Sequence, residues 1–170
     1  SEVERLLSAG TDVNAKHSRS GWTPLHRASY HGHLQVFQAL HAYGADIDAK
    51  GNDGSTPLVV ASLRGHVQVV KELREHGADI EAMTMSGSTP LHLAAMKGHL
   101  AVVNELLSPD DSNGATTRRA HIEAKDDAGD TPLHLASRKG HVHVVKALVS
   151  GGANILAANH QGRLPFHRAV

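Results

Sequence analysis

Apolar residues along this chain come in short clusters with helical spacing. Leu34, Val36, Phe37 and Leu40 fall on one helix face, and the pattern returns at Val67, Val69, Val70 and Leu73, at Leu100, Val102, Val103 and Leu106, and at Val142, Val144, Val145 and Leu148. Ahead of each cluster stands Thr-Pro-Leu, beginning at Thr23, Thr56, Thr89 and Thr131, with a degenerate copy at Leu164-Pro165-Phe166-His167. The intervals are 33, 33, 42 and 33 residues, so one unit carries an insertion of nine. Threonine before proline reads as a helix cap followed by a first position where the missing N–H costs nothing. Gly-His at Gly32, Gly65, Gly98 and Gly140 marks the end of that first helix, since glycine suits a left-handed C-terminal cap. The apolar cluster is then a second helix, stopped at Gly44 in the first full copy, and a turn at Asp53-Gly54 leads back to the next Thr-Pro. A unit of two such helices cannot bury its own apolar face and is stable only when stacked on its neighbours.

A third marker, Gly-Ala-Asp/Asn-Ile, stands at Gly44, Gly77 and Gly152, and the insertion leaves only Ala120-His121-Ile122 of it in the third copy. With Thr23-Pro24-Leu25-His26 and Gly32-His33, these residues give the chain its resemblance to the ankyrin repeat family. The resemblance implies an all-α solenoid of stacked helix-turn-helix units joined by β-hairpin-like loops, forming a single domain over 1–170. It divides into a partial repeat at 1–21, repeats at 22–54, 55–87, 88–129 (with the insertion, Ser108–Thr117, expected as a loop) and 130–162, and a truncated repeat at 163–170. Departures from the family pattern are Val59 in place of histidine, Arg163-Leu164 in place of a threonine cap, and Asn154 for Asp. Ser1–Leu7 reads as a second helix without a first, and Val170 falls inside a first helix. Solenoids need polar end caps, so Val3, Leu6, Phe166 and Ala169 are expected at open ends, with further repeats on one or both sides.

Composition narrows the function. The 170 residues carry 17 Lys+Arg against 17 Asp+Glu, and this zero balance argues against a general nucleic-acid binder, which needs surplus cations for phosphate. There is no cysteine, hence no disulfide, thiolate nucleophile or thiolate zinc site. No apolar run reaches the roughly 18–20 residues that would span a bilayer, and no signal-peptide pattern opens the chain. These features predict an intracellular, cytoplasmic protein and a monomer, within a longer chain.

Fifteen histidines invite a metal or catalytic reading. Eight of them recur in phase, His26, His92, His134 and His167 in the Thr-Pro-Leu segment and His33, His66, His99 and His141 after glycine. Repetition in phase signals architecture, and in the resembling family the first set ties the turn to its helix. His31/His33 and His141/His143 are two apart, which on one helix separates them onto different faces. No nucleophile elbow, P-loop or dinucleotide fingerprint occurs. No enzyme, metal or cofactor is expected. Asp12-Val13-Asn14 matches the hairpin pattern that an asparaginyl hydroxylase modifies in ankyrin proteins, although a plain turn asparagine is the preferred reading of Asn14.

The expected function is a non-catalytic protein-interaction module. In the resembling family a partner lies in a groove lined by hairpin tips and the exposed face of the first helix. The residue two before each repeat glycine is Tyr30, Leu63, Met96 or Arg138, and the next is His31, Arg64, Lys97 or Lys139. Trp22, Tyr43, Met83, Met85, Lys50 and Lys125 are assigned to hairpins. The only Trp and all three Met fall in these columns, where core packing does not ask for them. A basic stripe beside apolar anchors suits an extended, acidic protein segment. The alternative is a recruiting or assembly segment of a larger enzyme, channel or ubiquitin-ligase adaptor; a bare spacer would show polar, unpatterned columns.

Overall fold

The computed structural model describes residues 10–109 and 119–168. The expectations for Ser1–Leu7, Ala169 and most of the Ser108–Thr117 insertion lie outside the described residues. Within them are eight α-helices, one 3-10 turn and no strand: α1 (Pro24–His31), α2 (Leu34–Ala42), α3 (Pro57–Arg64), α4 (Val67–Glu75), α5 (Pro90–Lys97), α6 (Leu100–Leu107), α7 (Pro132–Arg138), α8 (Val142–Ser150) and the turn Pro165–Arg168. Odd-numbered helices form an inner row and even-numbered helices an outer row. The inner helices pack closely on one another in order, and the outer ones splay apart.

Local chemistry explains each helix. Proline starts every inner helix behind a threonine in extended conformation, Thr23, Thr56, Thr89 or Thr131. Gly32, Gly65 and Gly98 end three of them with φ of +71°, +81° and +76°. In the fourth, Lys139 is the cap and Gly140 follows with φ +71°. These glycines serve a second purpose. A Cβ on Gly32 would stand 2.5 Å from Nδ1 of His66 in the next repeat, and Gly65 and Gly98 meet His99 and His141 in the same way. One residue thus sets both the turn and the repeat spacing.

The core is aliphatic apart from Phe37. Leu25, Leu58, Leu91 and Leu133 of the inner row and Phe37, Val70, Val103, Leu73, Leu106 and Leu148 of the outer row are buried between helices. The loops between repeats are hairpin-like without being strands. Each is closed by backbone hydrogen bonds, such as Gly51 N–H to Ser55 O (2.9 Å) and Gly54 N–H to Gly51 O (3.0 Å), and from the second loop on each donates one N–H to the preceding loop, as Met85 N–H does to Asp53 O (2.9 Å).

Six of the eight histidines in phase bond a backbone carbonyl of a neighbouring repeat, which goes beyond the local tie expected of the first set. His26 accepts from Thr23 N–H at Nδ1 and donates through Nε2 to Ser55 O of the next repeat (3.0 Å). His92 reaches Asp130 O and His134 reaches Arg163 O likewise. The glycine-linked set points the other way, His66 to Tyr30 O, His99 to Leu63 O and His141 to Met96 O. Val59, the departure from this pattern, is simply packed in the core.

Candidate functional site

The inner helices and loop tips present one continuous face, and most of the expected contact residues stand on it. Tyr30, Leu63 and Met96 are half-buried on α1, α3 and α5, while His31, Arg64, Lys97, Arg138 and Lys139 are exposed beside them. Met83 and Met85 project from the loop after α4, Met85 with 77% of its surface exposed. Trp22 is half-buried at the start of repeat 22–54, close against Gly51 of the next loop. Its ring lies 5.3 Å from that of Tyr30, and the Arg64 guanidinium sits 4.6 Å above the Tyr30 ring. Three expected residues from two repeats therefore form one aromatic–cationic cluster, a geometry that attracts a cation to the ring face.

Tyr43 stands elsewhere. It is the C-terminal cap of outer helix α2 rather than a loop-tip residue, because α2 runs through Ala42 before Gly44 turns the chain. The basic stripe also changes character at its two arginines. Arg138 Nη1 bonds Oδ2 of Asp130 at 2.7 Å, and Asp130 is only 3% exposed. Asn159 Nδ2 binds the other carboxylate oxygen at 2.6 Å. Burial alone would raise the Asp130 pKa, but the hydrogen bonds from Asn159 and Arg138 outweigh it and hold the carboxyl below its ordinary range. The Arg138 charge is thus locally balanced, and that of Arg64 is applied to a ring. Lys97 and Lys139 engage no recorded ion pair among the described residues.

Asp130 and Asn159 were not singled out in the sequence. The signal was there: Asp130 occupies the column of Trp22, Ser55 and Ser88, eight residues before the column of Tyr30, Leu63, Met96 and Arg138. An acid and a base at those paired positions meet along one inner helix, as Trp22 and Tyr30 do along another.

Two cavities lie toward the ends of the described stack. One of about 560 Å³ lies beside Trp22, Pro24, Ala28, Val36 and Leu40, with Lys16, Arg27 and His33 at its rim. The other, of about 410 Å³, lies at the opposite end between Asp130, Arg138, Asn159, Arg163 and His167. His31 and His33 are not on one helix, since Gly32 breaks it, and their rings stack 5.6 Å apart. No group of three metal-ligating side chains occurs among the described residues.

Asn14 has a structural task. Its Oδ1 accepts from Asp46 N–H at 2.8 Å and its Nδ2 donates to Gly44 O at 3.3 Å, so both amide atoms are engaged by the next repeat. Asp48, Glu81 and Glu123 do the accepting half of this work further along, each from a backbone N–H of the following unit.

A sequence profile described as ankyrin repeats matches in three overlapping copies, over residues 1–84, 47–118 and 91–170. The chain is similar to "Ankyrin repeat domain-containing protein 49" of Bos taurus, 52% identical over 48 residues, which are 28% of this chain and 20% of that protein. It is also similar to the "Mitochondrial disaggregase" of Homo sapiens (58% over 45 residues, 26% of this chain and 6% of that protein). A third similarity is to the "2-5A-dependent ribonuclease" of Mus musculus (38% over 52 residues, 31% and 7%). The matched segments span a fifth or less of each of these relatives.

Proposed function

The chain belongs to the ankyrin repeat family, and from that premise we propose that it is a non-catalytic module whose concave face binds a partner protein through an extended segment. The observation that carries this reading is the Trp22–Tyr30–Arg64 cluster, continued by Leu63, Met96, Met83 and Met85 along the same face. Large apolar and aromatic side chains at half-exposed positions are the residue types that anchor partners. Trp22 and Tyr30 pack partly on each other and on the loop at Gly51, while Met83 and Met85 keep about half or more of their surface open to a partner. Lys97 and Lys139 add a local positive field to a chain whose total charge is zero.

The partner segment is therefore acidic with interspersed apolar residues. Charge steers its approach, and the anchors hold it. Arg64→Glu with Lys97→Glu weakens capture several-fold without unfolding the protein, and Trp22→Ala with Met85→Ala does the same through the anchors. Lys71→Ala with Lys146→Ala, on outer helices, serves as the control and leaves capture intact. Equal capture by all these variants would overturn the groove reading.

A second reading, a recruiting segment within a larger protein, is favoured by one finding: the matched segments are only 6–7% of the disaggregase and the ribonuclease. It places the same groove in the service of chemistry performed elsewhere in a polypeptide. Asn14 remains an ordinary loop asparagine in either reading, with both amide atoms engaged in the stack.

A further inference from the structure

The two columns at the start and end of the inner helices change in kind from one end of the stack to the other. In repeat 22–54 the pair is Trp22 and Tyr30, ring on ring at 5.3 Å. In the next two repeats the same columns hold Ser55 and Leu63, then Ser88 and Met96, a buried small residue and a half-buried apolar one. In repeat 130–162 it is Asp130 and Arg138, an ion pair at 2.7 Å. We propose that the groove is polarised, taking an extended protein segment with a large apolar residue at the Trp22–Tyr30 end and a carboxylate side chain at the Arg138–Arg163 end. This rests on the concave face being the binding face.

The carboxylate end is built to receive an acid. Asp130 is the only acidic residue lining the cavity there, and it is buried and doubly bonded, by Arg138 and by Asn159. It orients the guanidinium of Arg138 and keeps one nitrogen of it engaged, while a guanidinium has five donors in a fixed fork. Arg163 and His167 line the same cavity. A pre-oriented arginine loses less side-chain freedom on binding than a free one, and a bidentate carboxylate matches its fork. Arg138 thus becomes a positioned recognition group and ceases to be one more cation in a stripe. The apolar end is prepared in the same sense, because Arg64 caps the Tyr30 ring from the following repeat at 4.6 Å and fixes it beside Trp22.

The repeat spacing fixes the ruler. Tyr30 and Arg138 are three repeats apart, roughly 24–30 Å at about 8–10 Å per stacked helix. An extended chain rises about 3.3 Å per residue, so the two anchors of the partner stand about 7–9 residues apart.

The test is selection from a random library of roughly 16-residue displayed peptides, long enough to span the groove when extended. On the wild-type protein, enriched peptides should carry a large apolar residue and an Asp or Glu about 7–9 positions apart, in one chain direction. Selection on Trp22→Ala should lose the apolar preference and keep the acidic one. Selection on Arg138→Gln should do the reverse, with Arg163→Gln, at an exposed residue, as the second variant should Arg138→Gln unfold. A peptide selected on the wild type should lose about tenfold in affinity on Arg163→Gln, the scale of one charge-assisted hydrogen bond. Enriched peptides that depend on Trp22 but lack the paired spacing would overturn the polarity and leave the groove reading standing. Enrichment indifferent to every groove variant, or no enrichment at all, would overturn both.

Discussion

At the scale of single residues the molecule is governed by histidine in one protonation state. In His26 and His92, Nδ1 accepts a backbone N–H while Nε2 donates to a carbonyl of the next repeat, which only the neutral ring does. Burial holds both below their ordinary value of 6.5, against a partial rise from the carbonyl each one meets. The folded chain then binds these protons less readily than the unfolded chain. The stability these two contribute is present above about pH 6.5 and is lost as pH drops below it. Urea midpoints taken between neutral and mildly acidic pH check this, and a flat profile would refute it. His92→Ala leaves Asp130 O without its donor and costs about 1–3 kcal/mol. The recurrence of these histidines was legible in the sequence; their direction was not, because the acceptor lies 29 to 45 residues away in another unit.

Among the elements, α6 is the one that departs from its siblings. Its C-terminal cap is Ser108 in extended conformation, where α2 and α4 are followed by Gly44 and Gly77 with positive φ. Arg74 of α4, only 6% exposed, takes over that end: it bonds the carboxylate and carbonyl of Glu105, and its Nη2 donates to Ser108 O at 2.9 Å. Cations at a helix C-terminus also complement its dipole. Arg74→Ala should therefore cost about 3–5 kcal/mol by stranding a partly buried carboxylate and two carbonyls. Arg74→Met, which keeps the aliphatic stem but strands the same oxygens, should cost nearly as much; a Met variant close to wild type in a denaturation series would point to packing alone. The insertion was read from the broken 33-residue interval, but the arginine that secures its base was not. Its column holds His41 and Leu107 in neighbouring repeats, and nothing in one sequence marks a charge there as buried.

At the scale of the whole molecule, the main helix–helix packing among the described residues runs between adjacent repeats, so damage should travel by adjacency. Leu91→Ala opens a cavity in the middle of the inner row and costs about 2–5 kcal/mol. Amide exchange should rise in repeats 55–87 and 130–162 along with the mutated one, and protection lost in one unit alone would contradict a stacked solenoid. The fold followed from three markers in fixed phase and from the family resemblance they carry, since units too small to bury their own apolar face must stack. The proposed binding face was only half legible: which residues share a column follows from the repeat, but which of them meet, Trp22 with Tyr30 or Asp130 with Arg138, depends on a turn geometry that sequence spacing does not display. The central claim is that the concave face, not the outer row, holds the partner. It is tested most directly by placing a photo-crosslinking side chain at Met85 or Met96 on the groove and at Lys71 or Lys146 on the outer helices, then irradiating the protein with its captured partner. The account predicts covalent adducts from Met85 and Met96 and none from Lys71 and Lys146. Adducts from the outer positions, with the groove positions silent, would contradict it.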